Sequence, residues 1–184
     1  AENIKVYGVS DLQEMAVVLG EQEEASVFEV PKRQYSPSVE EPLFDFSEVA
    51  GQYFAKRGLE IAASGGHNVL LYGPPGSGKS MMSRCMASIL PPMSLGEAIE
   101  TSMVYSVAGL LDESTGLLTR RPFRAPHHRA SMVEMVGGGS RAVPGEISLA
   151  HNGVLYLDEV AQFAPGTLEV LRQPLEDRHI TVSR

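Results

Sequence analysis

Apolar and polar positions change period several times along this chain, and those changes divide it. In "IKVYGVSDLQEMAVVLGE" (4–21) a short apolar run gives way to a helical stripe of Leu12, Met15, Ala16 and Leu19 that ends at Gly20. Ser10, with Gln13 three residues later, predicts a capping box for that helix. One strand and one helix bury no core, so residues 1–20 read as the tail of a preceding domain. From 21 to 43 the period is lost among "EQEE", Pro31, Pro37 and Pro42, the pattern of an acidic linker.

The period returns at 44–184. Residues 49–63 fit a helix that stops at Gly65-Gly66, and "HNVLLYG" (67–73) is an apolar run suited to a strand covered on both faces. A second helix follows Lys79, with Met82, Cys85, Met86 and Ile89 on one side and Pro91-Pro92 as its stop. A third spans about 94–108, "GVLYLDE" (153–159) reads as a strand, and Pro165 opens a helix to Leu175. "HITVSR" (179–184) reads as a last strand. Strands alternating with helices predict an α/β fold with a parallel sheet.

The chemistry lies between the first strand and the second helix. "GPPGSGKS", Gly73 to Ser80, satisfies G-x-x-x-x-G-K-[ST] in full. Glycines at 73, 76 and 78 let backbone N–H groups approach phosphate oxygens with no Cβ in the way. The following helix adds its positive dipole end. Pro74, Pro75, Ser77 and Met81 complete the nucleotide-binding set, Lys79 reaches the β- and γ-phosphates of ATP, and Ser80 offers a hydroxyl to Mg²⁺. Asp158 and Glu159 end the "VLYLDE" strand, on the edge that faces the phosphate loop in a parallel sheet. Asp158 is the second Mg²⁺ residue, and Glu159 the base that polarises the attacking water.

Composition and charge narrow the partners. A single cysteine, Cys85, excludes an intramolecular disulfide and fits a reducing cytoplasm, and no apolar run is long enough for a bilayer. Residues 1–48 carry eleven acidic against three basic side chains, which accounts for the whole net charge of −8. Between 118 and 151 the balance reverses, with Arg120, Arg121, Arg124, Arg129 and Arg141 against Glu134 and Glu146. Within it "RPFRAPHHR" (121–129) pairs His127 with His128. Adjacent residues on an extended segment point to opposite faces and no further ligand stands at metal spacing, so local hydrogen bonding is expected of them. Arg121, Arg124, Arg129 and Arg141 are candidates for the phosphate backbone of DNA, for a neighbouring subunit's nucleotide, or for solvent.

Taken with "SVAG" (106–109), "RPFRAPHH" (121–128), "VGGG" (136–139), "PGEISLAHNGVLYLDE" (144–159) and "LRQPLED" (171–177), these motifs resemble the ComM/YifB group. That group comprises bacterial AAA+ ATPases related to the ATPase subunit of magnesium chelatase. The resemblance covers about 45–184, and "VYGVSDLQE" is similar to the end of the group's N-terminal Lon-like domain. It implies a P-loop AAA+ core and homo-hexameric rings with ATP between subunits. It further implies a role as helicase in DNA branch migration during natural transformation. It assigns Val49 and Gly51 in "FDFSEVAGQ" (44–52) to the adenine, and 131–150 to an insertion directed at the ring pore. It implies also that the sensor strand, arginine finger and lid lie beyond Arg184, so that the chain is a fragment whose sheet lacks a central strand. A metal-chelatase motor and a nucleotide-dependent interaction module remain open as alternatives.

Overall fold

Asp11, rather than Ser10, starts the first helix. Its carboxylate accepts from the N–H groups of Gln13 and Glu14, both at 2.8 Å, since an acidic N-cap reaches the free amides of the first turn. The computed structural model describes residues 7–9, 11–20, 28–29, 35, 44–111, 116–139, 142–177 and 179–180. They fall into two units, 1–35 and 36–184. In the first, β1 (Tyr7–Gly8) precedes α1 (Leu12–Leu19) and pairs antiparallel with β2 (Phe28–Glu29). The β-prone run "VFEV" (27–30) therefore gives a strand inside the stretch that composition marks as linker. No residue of α1 is buried, and Leu12 and Leu19 stand in solvent. Ser10, half of the expected capping box, lies outside the described residues.

In the second unit α2 (Tyr53–Gly65) ends on Gly66 at φ 62°, a left-handed cap that glycine adopts without Cβ strain. Its apolar side meets α3 (Lys79–Ile89), and Val49, Leu59, Met82 and Cys85 form the buried centre between them. Phe46, Ala55, Leu71, Met86 and Ile89 close over that centre. Each large side chain so covered contributes about 1.5–3 kcal/mol. Cys85 is fully buried, and burial pushes its thiol pKa up. α4 (Leu95–Val107) opens with a complete capping box, the Ser94 hydroxyl accepting from the Glu97 N–H while the Glu97 carboxylate accepts from that of Ser94.

β3 (Phe123–Arg124) comes next, then α5 (Met132–Val136), a β4–β5 hairpin (Gly137–Gly138 with Val143–Pro144) and α6 (Glu146–Leu149). The stretch assigned to a pore insertion is thus helix, hairpin, helix. β6 (Val154–Leu155) pairs in parallel with β3, Phe123 opposite Val154 and Arg124 opposite Leu155. The helix expected over 165–175 is broken into α7 (Pro165–Glu169) and α8 (Arg172–Asp177). His179 and Ile180 form no strand, and 181–184 lie outside the described residues.

The largest difference concerns 67–73. The segment leads into the phosphate loop, but among the described residues it joins no sheet. Val69 to Tyr72 and Gly153 to Leu157 both line a cavity of about 670 Å³. Extended backbones pair only when they lie about 4.8 Å apart. Both segments border that cavity, and they share no ladder. The core is therefore α/β with one short parallel pair, flanked by helices.

Candidate nucleotide-binding site

The phosphate loop is shaped by its glycines. Gly76 and Gly78 take φ of 74° and 82°, values open to glycine at little cost. Gly73 serves by its size, because an added Cβ would lie 3.3 Å from the Ser77 hydroxyl. Gly78 is the N-cap of α3, so the helix begins at Lys79 with its free N–H groups turned toward the loop. The Lys79 ammonium donates to the carbonyls of Gly73 (3.0 Å) and Pro74 (2.8 Å). It thus rests within the loop whose phosphates it is suited to meet. Met81 lies two residues beyond Lys79 in α3 and is exposed.

Across the site, the Ser80 hydroxyl donates to Asp158 at 3.4 Å, a contact between residues far apart in sequence. β6 carries Asp158 and Glu159 to this point because its parallel partner β3 holds it in register, with Val154 N–H on Pro122 O and Tyr156 N–H on Arg124 O, both 2.8 Å. A serine hydroxyl and a carboxylate this close are a hard, all-oxygen donor pair. That fits Mg²⁺, which takes few protein ligands and keeps most of its water. The other Asp158 oxygen accepts from the Glu159 N–H at 3.0 Å. Glu159 sits in the left-handed region at φ 50° with its carboxylate exposed. A non-glycine residue held there marks a functional position as readily as a turn.

Tyr156 joins this cluster, and motif reading passes over it. It stands two residues before Asp158, hence on the same strand face. Burial raises its phenol pKa, and Ser80, Asp158 and Ser83 are the polar groups that act on it. Its ring stacks on Phe123 at 6.0 Å. The period-two alternation of "VLYLD" was the available signal.

Of the two residues assigned to adenine, Val49 has its side chain in the core and its N–H on Phe46 O at 3.2 Å, while Gly51 is exposed at φ 65°. The Lys56 ammonium donates to the carbonyls of Phe46 and Val49, and the Gln52 amide to Ser77 O at 3.1 Å. The segment is thereby tied to the phosphate loop.

The arginines part company. Arg121 is enclosed, donating to Pro91 O (2.6 Å) and Asn152 O (2.7 Å) and pairing with Glu97 at 3.0 Å. Arg124 makes a two-pronged bond to Glu146 at 2.7 and 2.6 Å. Both act inside the fold, against the expectation of an outward role. Arg129 is exposed, and Arg141 lies outside the described residues. The His127 and His128 rings lie 4.0 Å apart, and His127 Nδ1 accepts from the Arg129 N–H. Among the described residues no group of three histidine, cysteine or acidic side chains gathers as for a metal. No helix among them is long and apolar enough to cross a membrane.

The family described as magnesium chelatase, subunit ChlI, matches residues 45–184. The protein YifB of Salmonella typhimurium is 51% identical over 140 residues, covering 76% of this chain and 28% of its own length. The competence protein ComM of Haemophilus influenzae is 51% identical over 142 residues, covering 76% and 27%. Lon protease 2 of Bacillus subtilis is 26% identical over 159 residues, covering 78% and 28%. The chain thus spans less than a third of the length of these relatives.

Proposed function

This chain belongs to the family of magnesium chelatase subunit ChlI, and from that premise we propose that it binds and hydrolyses ATP as part of a ring-forming AAA+ motor acting on DNA. The observation that carries the nucleotide reading is the meeting of Ser80 with Asp158 beside the glycine loop. ATP would lie with its phosphates on the N–H groups of 76–80, and Lys79 would leave the loop carbonyls for the β- and γ-phosphates. Ser80 and Asp158 would hold Mg²⁺, which when bound neutralises charge on the phosphates. The Glu159 carboxylate accepts a proton from water as the water oxygen attacks the γ-phosphorus. The bond to the β,γ-bridging oxygen breaks, and ADP and phosphate leave. Adenine would lie against Val49 and Gly51.

The DNA reading has two supports. Arg129 is the exposed arginine of the 121–129 stretch. The relative ComM bears the name of a competence protein. We place the motor in the cytoplasm, as a homo-hexamer. A chelatase role is the second reading, favoured by the family's own description.

The decisive measurement is ATP hydrolysis by the full-length gene product, with and without single-stranded, duplex and junction DNA. Stimulation that falls steeply with salt is expected. Hydrolysis indifferent to every DNA would move the assignment to the chelatase reading. Glu159→Gln should keep nucleotide binding while lowering turnover by about a hundredfold or more. Normal turnover in that variant would sink the assigned base.

A further inference from the structure

Gln52 stands at the N-cap of α2, yet its side chain makes no bond to its own helix. Serine, threonine, aspartate and asparagine are the residues that cap in this way. Gln52 instead follows Gly51 (φ 65°) in the left-handed region at φ 54°, and donates from Nε2 to the carbonyl of Ser77 at 3.1 Å. A left-handed backbone at a non-glycine residue carries a cost and persists where the surroundings hold it. The preceding turn is held from the other side, by Lys56 on the carbonyls of Phe46 and Val49.

The acceptor is the informative part. Ser77 C=O and Gly78 N–H belong to one planar trans peptide, so they point in opposite directions. A donor fixed on the carbonyl edge turns the N–H edge away from Gln52. Gly78, at φ 82°, can take that orientation, and it is the residue from which α3 starts. Without a partner on the carbonyl, the 77–78 peptide of a glycine loop is free to flip.

We infer that Gln52 is a positioning residue for the phosphate loop, orienting the Ser77–Gly78 peptide so that the Gly78 N–H faces bound phosphate. This rests on the reading of Gly73–Ser80 as a phosphate site. It assigns the 44–52 segment a second role beside the base, as a strap fixing the loop's donors before ligand arrives.

The test is a titration of the ¹⁵N-labelled chain with MgADP, and separately with tripolyphosphate, which lacks the base. In the wild type the Gly78 amide resonance should move strongly with either ligand. Gln52→Glu keeps the shape but puts an acceptor against the Ser77 carbonyl, and Gln52→Ala removes the group. Both variants should bind each ligand about tenfold more weakly, the size expected for one lost hydrogen bond. Both should show a reduced Gly78 displacement while the melting temperature stays close to wild type. Equal loss with the two ligands assigns the effect to phosphate rather than adenine. Full affinity and a full Gly78 shift in both variants would overturn this role alone. A wild type that binds neither ligand overturns the phosphate site, and this inference with it.

Discussion

Arg124 gives two nitrogens to Glu146, whose carboxylate is mostly covered, with a side-chain exposure of 16%. Removing one partner of such a pair leaves the other buried and unsatisfied. Arg124→Ala should therefore lower stability by about 1–3 kcal/mol, read as a shift in urea midpoint. An exposed pair such as Arg57–Glu60 should contribute well under 1 kcal/mol. If the two substitutions proved equal, the internal role of Arg124 would be wrong. Glu97 makes a pH prediction. Its pKa is held below the ordinary 4.5, first by the Ser94 N–H and then by Arg121. The native state thus keeps the carboxylate ionised more readily than the unfolded chain. That stabilisation is complete above the ordinary value and is lost as pH falls through the folded one. Glu97→Gln should start less stable at neutral pH and lose less between pH 6 and 3, so the two urea-midpoint curves converge on acidification. Parallel curves would contradict it.

At the scale of elements, the approach of β6 to β3 depends on Gly153. A Cβ there would lie 2.1 Å from Pro122 O and 2.7 Å from the Pro122 ring. Gly153→Ala must push apart the pair that carries Asp158 to Ser80. It should cost roughly 1–3 kcal/mol and weaken MgADP binding together with stability. A variant with normal stability and normal binding would show that the pairing does not position Asp158. Elements like these divide what sequence makes legible. The glycine loop, α3 with its Met82–Cys85 stripe and the strand before Asp158 follow from local spacing, and the structure has them. The break between α7 and α8 has no such signal. It arises where the Leu171 N–H bonds to Leu168 O rather than continuing the helical ladder. Long-range polar partners were equally invisible. Nothing in "RPFRAPHHR" says that Arg121 reaches Pro91 and Asn152, or in "VAGQ" that Gln52 reaches Ser77. Periodicity reports which face is apolar, and is silent on which distant carbonyl a side chain will find.

At the scale of the molecule, the cavity beside the phosphate loop sets how the chain behaves in solution. Leu71 is turned into the α2–α3 core, while Leu70 and Tyr72 point away from it. Those two are 79% and 99% exposed, and Val69 adds 45%. Gly153 to Leu157 line the same cavity. Extended backbone without a ladder, bordered by apolar side chains, is a template for another strand. The chain should therefore self-associate as concentration rises and bind an apolar dye such as ANS. Leu70→Lys with Tyr72→Lys should suppress both effects and leave Leu71, and hence the core, in place. Light scattering coupled to size exclusion would read the variant as the 19.9 kDa monomer where the parent elutes larger. A parent that stays monomeric and dark to the dye at every concentration would mean that the cavity is closed in solution. The 67–73 segment would then have found a partner within the chain, and ladder N–H groups at 69–72 should resist hydrogen exchange.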